Sequence, residues 1–164
     1  VENLTTLNVH KQIANRILEP FMWVNSVTSA TDWNNYFAQR CSEFAQPEIS
    51  KIAYMIRDAY NENQPTLVEY GDWHLPYVTQ KEKQIFGEDA KYLSAGRSGR
   101  VSYLNHGINN TPEKDISLAK EKMIPSKHWS VAEHCATPLK YDGYLGNYKG
   151  WKQLRKFYER ESGE

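Results

Sequence analysis

Gln46-Pro47-Glu48-Ile49-Ser50-Lys51-Ile52-Ala53-Tyr54-Met55-Ile56-Arg57-Asp58-Ala59-Tyr60 is the most regular stretch of this 164-residue chain. Pro47 suits a first helical turn, where its missing N–H costs nothing, and Glu48 complements the positive end of the helix dipole. Ile49, Ile52, Ala53, Ile56, Ala59 and Tyr60 recur at helical spacing and predict a buried stripe. Asn61 to Pro65 closes the element.

Working upstream, Trp33, Tyr36, Phe37 and Arg40 share one face of a second predicted helix, which runs to Cys41 with its cap in Ala30-Thr31-Asp32. Residues 21–28 are apolar and β-branched, a short strand or an extended link. His10 to Glu19 forms a further helix, with Ile13, Ile17 and Leu18 along one side, and Pro20 stops it.

Downstream, residues 66–79 read as an irregular link with one short strand, and Lys81 to Phe86 as a helical turn. Tyr92 to Leu104 is interrupted by Gly96 and Gly99, which is the pattern of a strand entry with close backbone packing. Asn109-Asn110 marks a turn. Thr111-Pro112 opens a helix to about Met123, and a short helix follows Ser130. Residues 141–150 form a Gly/Tyr loop. Trp151, Leu154 and Phe157 give the last segment a helical pattern. No repeat or linker divides the chain, so residues 1–164 read as one domain.

Apolar residues make up 40% of the chain and charged residues 24%, the balance of a globular protein. Twenty basic and twenty acidic residues cancel, so no net field favours a nucleic acid or an anionic membrane. No run approaches the roughly 20 apolar residues of a membrane helix. Cys41 and Cys135 form no CxxC and no disulfide framework, which fits a reducing cytoplasm.

Five segments offer chemistry. Lys11 and Arg16 fall on one helix and read as a phosphate contact or as a solvated basic face. Arg40 lies on the aromatic side of its helix, where a guanidinium serves a ligand or pairs with a carboxylate such as Glu43. Asn35 points elsewhere on that helix and reads as a separate ligand contact or an exposed amide. Residues 94–103 (SAGRSGRVSY) combine two glycines with two arginines but match neither common phosphate-loop pattern.

Ser130 and Glu133 make an S-x-x-E capping box, and the helix start they would cap can hold a phosphate. His128 and His134 lack the spacing and third ligand of a zinc site. Lys149, Lys152, Arg155, Lys156 and Arg160 interleave with aromatics, the pattern of a nucleic-acid patch or a solvated face. Neither cysteine carries the surroundings of an activated nucleophile. These residues alone describe an α/β ligand-binding domain that favours anions.

Together the segments resemble, in order, those of phage-type flavin-dependent thymidylate synthases. NVHKQIANRILEPF is similar to GxHKQxxNRLLEPF, SATDWNNYFAQR to TATxWxNFFxxR, and AQPEI is shared. GDWHLPYV resembles gEWHLPYV and SAGRSGRVSY resembles the family's RCARVSY. HWSVAEHCATP resembles HxSPFEHxATP, with Val131-Ala132 in place of Pro-Phe. GNYKGWKQLRK resembles GNFxGWxQxRK.

The resemblance implies a mixed β-sheet flanked by helices, in a homotetramer with sites between subunits. It implies methylation of dUMP at the uracil C5 with FAD, NADPH and methylenetetrahydrofolate. Arg16 and Arg40 match the arginines that bind dUMP, and Arg40 is the one set against the uracil ring. Asn35, Ser130 and Glu133 match positions on the FAD side. The family's THRxFSRN signature does not occur in these 164 residues, so a C-terminal portion or one half of a split enzyme is expected. A hydroxymethyl-transferring relative and a non-catalytic nucleotide-binding subunit are the alternatives.

Overall fold

The computed structural model describes residues 2–101 and 110–159. Helices α1 (Glu2–Thr6) and α2 (Lys11–Arg16) open the described part, followed by a 3₁₀ turn at Glu19–Phe21 that takes Pro20 in its first turn. The predicted helix is thus shorter than His10–Glu19. Helices α3 (Asn34–Arg40) and α4 (Pro47–Glu62) follow, then α5 (Gln80–Phe86), α6 (Ala90–Arg100) and α7 (Pro112–Ser117). A π-helical turn, Leu118–Met123, continues α7 to the predicted limit.

Strand β1 (Ala136–Pro138) pairs antiparallel with β4 (Trp151–Gln153), and β2 (Tyr144–Leu145) with β3 (Tyr148–Lys149). The fold therefore combines helices with small antiparallel sheets. Among the described residues these are two two-stranded ribbons rather than one mixed sheet. The predicted loop at 141–150 contains the β2–β3 hairpin, turned by Gly146 at φ 64°. The predicted last helix is instead β4 followed by a 3₁₀ turn, Leu154–Phe157. Pairing of Trp151–Gln153 with β1 outweighs local helical spacing. The short strand expected in the 66–79 link is not formed; His74 makes only an isolated bridge to Ala136.

The core lies in the C-terminal half. Leu93, Ala95, Ala119, Ala132, Cys135 and Leu154 are buried there, with Trp73, Leu75, Tyr92 and Trp129 packed around them. Helix α6 runs unbroken through Gly96 and Gly99, which corrects the expected strand entry. The close packing the glycines implied is real. A Cβ on Gly96 would collide with the backbone carbonyl of Asp115, and one on Gly99 would come within 2.9 Å of the Met123 side chain. Both glycines let α7 and the turn after it approach α6.

Asp115 is buried against α6, 3.1 Å from Arg100 Nε and 3.7 Å from Arg97 Nε. Burial pushes its carboxyl up, while Arg100 and Arg97 pull it back. Residues 74–79 are held to α6 by Ser94, which donates to the Pro76 carbonyl, and by Arg97, which donates to the Tyr77 carbonyl. Tyr77 takes a left-handed φ of 62°, a costly conformation that these two bonds fix.

The stripe on α4 departs from expectation. Ala53 alone is buried, while Ile49, Ile52 and Tyr60 are exposed, Ile52 at 57%. Helix α4 packs on α3 and on no other described element to a comparable extent. Phe21, Met22, Trp23 and Val24 are likewise exposed, Trp23 at 94%, in an extended link rather than a strand. The first third of the described chain thus presents apolar faces outward.

Candidate functional site

Helix α3 has Trp33 as its N-cap, without a side-chain cap bond, one residue past the expected Ala30-Thr31-Asp32; the Asp32 carboxylate instead accepts the Asn34 N–H at 3.1 Å in a local turn. Trp33, Tyr36 and Phe37 form the expected aromatic cluster, with Trp33 stacked on Phe37 at 5.7 Å between centroids. Phe37 meets Tyr60 edge-on at 5.7 Å and so joins α3 to α4. Arg40 ends the helix, where a cation complements the dipole.

Arg40 and Asn35 are both exposed, and the buried ion pair with Glu43 is not formed. Arg16 occupies the same place at the end of α2 and is exposed too. No hydrogen bond or ion pair from a described residue reaches either guanidinium. The side chain of Lys11 lies outside the described residues.

The Ser130–Glu133 capping box is not formed. Trp129–Ala132 is a four-residue 3₁₀ turn whose N-cap is His128, with no side-chain cap, and Glu133 stands at its C-terminal end. A turn this short has no helix start to hold a phosphate, unlike the capped helix expected there. Ser130 is exposed.

Glu133 Oε1 instead accepts from Arg155 Nη1, and its carbonyl accepts from Gln153 Nε2 at 2.9 Å. Arg155 also binds Glu159 through Nε at 3.0 Å and Nη2 at 2.7 Å. Arg155, then Lys156, holds the Glu159 carboxyl down to about 2.

The basic C-terminal segment is largely neutralised. Lys149 pairs with Asp142 at 3.3 Å, Lys156 pairs with Glu159 at 3.1 Å, and Lys152 sits 3.9 Å over the Phe157 ring. Arg160 lies outside the described residues, as do Ser102, Tyr103 and Asn109. Lys114 and Ser117 line a shallow cleft with Arg100. A cleft of about 580 Å³ opens between Lys120, Ile124, Lys127, Trp129 and Tyr158, and contains none of the expected site residues.

Among the described residues no three His, Cys, Asp or Glu side chains converge as a metal would need. Cys135 is buried and its thiol is pushed up to about 12 by desolvation, which leaves no nucleophile there. No described helix is long and apolar enough to cross a membrane.

One contact was invisible in the sequence. Ser29 Oγ lies 3.0 Å from His134 Nδ1, a part-buried pair joining positions 105 residues apart. Burial lowers the His134 pKa, so the imidazole is neutral near pH 7. No carboxylate of a described residue bonds to the ring, so the pair is not a hydrolytic triad. No family model, curated protein or solved structure matches the chain.

The site residues therefore fall in two groups. Arg16, Asn35 and Arg40 lie on the exposed N-terminal helices, and Ser130 and Glu133 lie on the edge of the C-terminal core. The Ser29–His134 bond connects the segment leading into α3 with the residue after Glu133.

Proposed function

We propose that the chain is the C-terminal portion of a phage-type flavin-dependent thymidylate synthase, which methylates dUMP to dTMP. The ordered succession of motifs from NVHKQIANRILEPF to GNYKGWKQLRK carries this reading. Two exposed arginines without a partner among the described residues support it, since such a guanidinium suits a phosphate or a pyrimidine carbonyl.

In this reading Arg16 and Arg40 bind dUMP. Arg40, set against the uracil, stabilises negative charge on N3 and so raises electron density at C5. The exposed Asn35 amide and Ser130 hydroxyl fit polar contacts to FAD. Glu133 has one carboxylate oxygen engaged by Arg155 and offers a flavin its other one. Reduced FAD supplies the reducing equivalents when bound, with NADPH and methylenetetrahydrofolate as co-substrates. The outward apolar faces of α2 and α4 suit a multi-subunit assembly, homotetrameric or with a separate chain carrying the THRxFSRN signature.

The test is to combine this chain with a THRxFSRN-bearing segment and supply the co-substrates. Bound flavin absorbance and tritium release from 5-tritiated dUMP are expected. An assembly that neither binds flavin nor releases tritium defeats the proposal. Product mass spectrometry separates methyl from hydroxymethyl transfer.

A further inference from the structure

Residues 27–33 form no regular strand, yet their exposure alternates. Val27, Ser29, Thr31 and Trp33 are partly buried, while Thr28, Ala30 and Asp32 face solvent. A period of two is that of extended chain lying on a surface. Two of the inward residues are hydroxyls, and both find partners far along the chain. Ser29 Oγ meets His134 Nδ1 at 3.0 Å, and Thr31 Oγ1 accepts the backbone N–H of Lys149 in β3 at 2.9 Å. The buried Tyr148 hydroxyl lies close to Ser29 and Gln153 without forming a well-aligned hydrogen bond.

These contacts matter because, among the described residues, little else fixes the helices that follow. Helix α3 packs on α4, and neither packs broadly on the α6–α7 core. We infer that Ser29 and Thr31 are positioning residues, whose hydroxyls clamp the start of α3, and with it Asn35 and Arg40, onto the module carrying Ser130 and Glu133. The side chains do what a backbone ladder does for a strand, at two points spaced i, i+2. The catalytic meaning of the clamp rests on the thymidylate synthase reading; the clamp itself does not.

Hydrogen–deuterium exchange on the full chain tests it. Ser29→Ala combined with Thr31→Val is expected to speed exchange of the α3 amides about tenfold while leaving α6 and α7 unchanged. Ser29→Thr keeps a hydroxyl and is expected to keep the protection. Unchanged exchange in α3 overturns the inference. So does an equal rise in α6, which would mean that the hydroxyls support the whole fold rather than one docking. A dUMP titration of the wild-type chain assembled with a THRxFSRN-bearing segment runs alongside. If α3 loosens as expected but wild type binds no dUMP, the clamp stands and the thymidylate synthase reading falls.

Discussion

Arg97 grips the Glu82 carboxylate with both terminal nitrogens, Nη2 to Oε1 at 2.5 Å and Nη1 to Oε2 at 3.0 Å, and so ties α5 to α6. Glu82 also closes a capping box with Thr79 at the start of α5. One carboxylate thus caps a helix, pairs with a second helix, and through Arg97 secures the strained Tyr77.

Acid should undo this arrangement in a defined window. The Arg97 hydrogen bonds, then the Thr79 backbone, hold the Glu82 carboxyl down to about 2, below its ordinary 4.5. A depressed carboxyl stabilises the fold fully above the unfolded value and loses that contribution as pH falls toward 2. Glu82→Gln is expected to cost about 1–2 kcal/mol at neutral pH, because the pair is partly solvated. It should also flatten the loss of thermal stability between about pH 4.5 and 2, as melting curves across that range would report.

The two glycines of α6 should respond unequally. An added methyl on Gly96 meets backbone, the Asp115 carbonyl, which cannot step aside. Gly96→Ala is expected to cost about 3 kcal/mol or more in urea unfolding. On Gly99 the methyl meets the side chains of Val131 and Met123, and the flexible Met123 can turn away. Gly99→Ala should cost about 1 kcal/mol or less, since removing a helix glycine returns part of the loss.

Arg40→Ala bears on the proposed activity. Its side chain is exposed and has no partner among the described residues, so the variant should unfold within about 0.5 kcal/mol of wild type. Tritium release from 5-tritiated dUMP should nevertheless fall by at least about a hundredfold in the assembled enzyme. Marked destabilisation would point to a structural role instead.

Thiol chemistry should distinguish the cysteines. Cys135 is buried with its thiol pushed up to about 12, whereas Cys41 is partly exposed. A disulfide reagent at pH 8 is expected to modify Cys41 in the folded chain and to reach Cys135 only after denaturant is added. Equal labelling rates would contradict the packing around Cys135.

Elements framed by strong local chemistry were legible. Pro47-Glu48 announced α4, and Thr111-Pro112 announced α7, because proline and dipole effects act within one turn. The α6 helix was misread because glycine signals a break locally, while here it serves a close approach to Asp115. The S-x-x-E pattern at Ser130 failed for a similar reason: Arg155, 22 positions away, takes the glutamate that a cap would need. Aromatic spacing correctly grouped Trp33, Tyr36 and Phe37 but could not decide between a ligand contact and a carboxylate pair for the exposed Arg40, because periodicity says which residues share a face and not whether that face is covered. The meeting of Ser29 with His134 leaves no trace in either neighbourhood.

The outward apolar faces of α2 and α4 carry a consequence for how the chain comes apart. Core burial is concentrated around α6, while Arg16 and Arg40 stand on helices with little packing of their own. The chain is therefore expected to behave as two cooperative units of unequal free energy. The N-terminal helices will open and reclose many times before the α6 unit melts once. A calorimetric peak will track Leu93 and Leu154, and events at the two arginines will register as sub-global fluctuation well below that temperature.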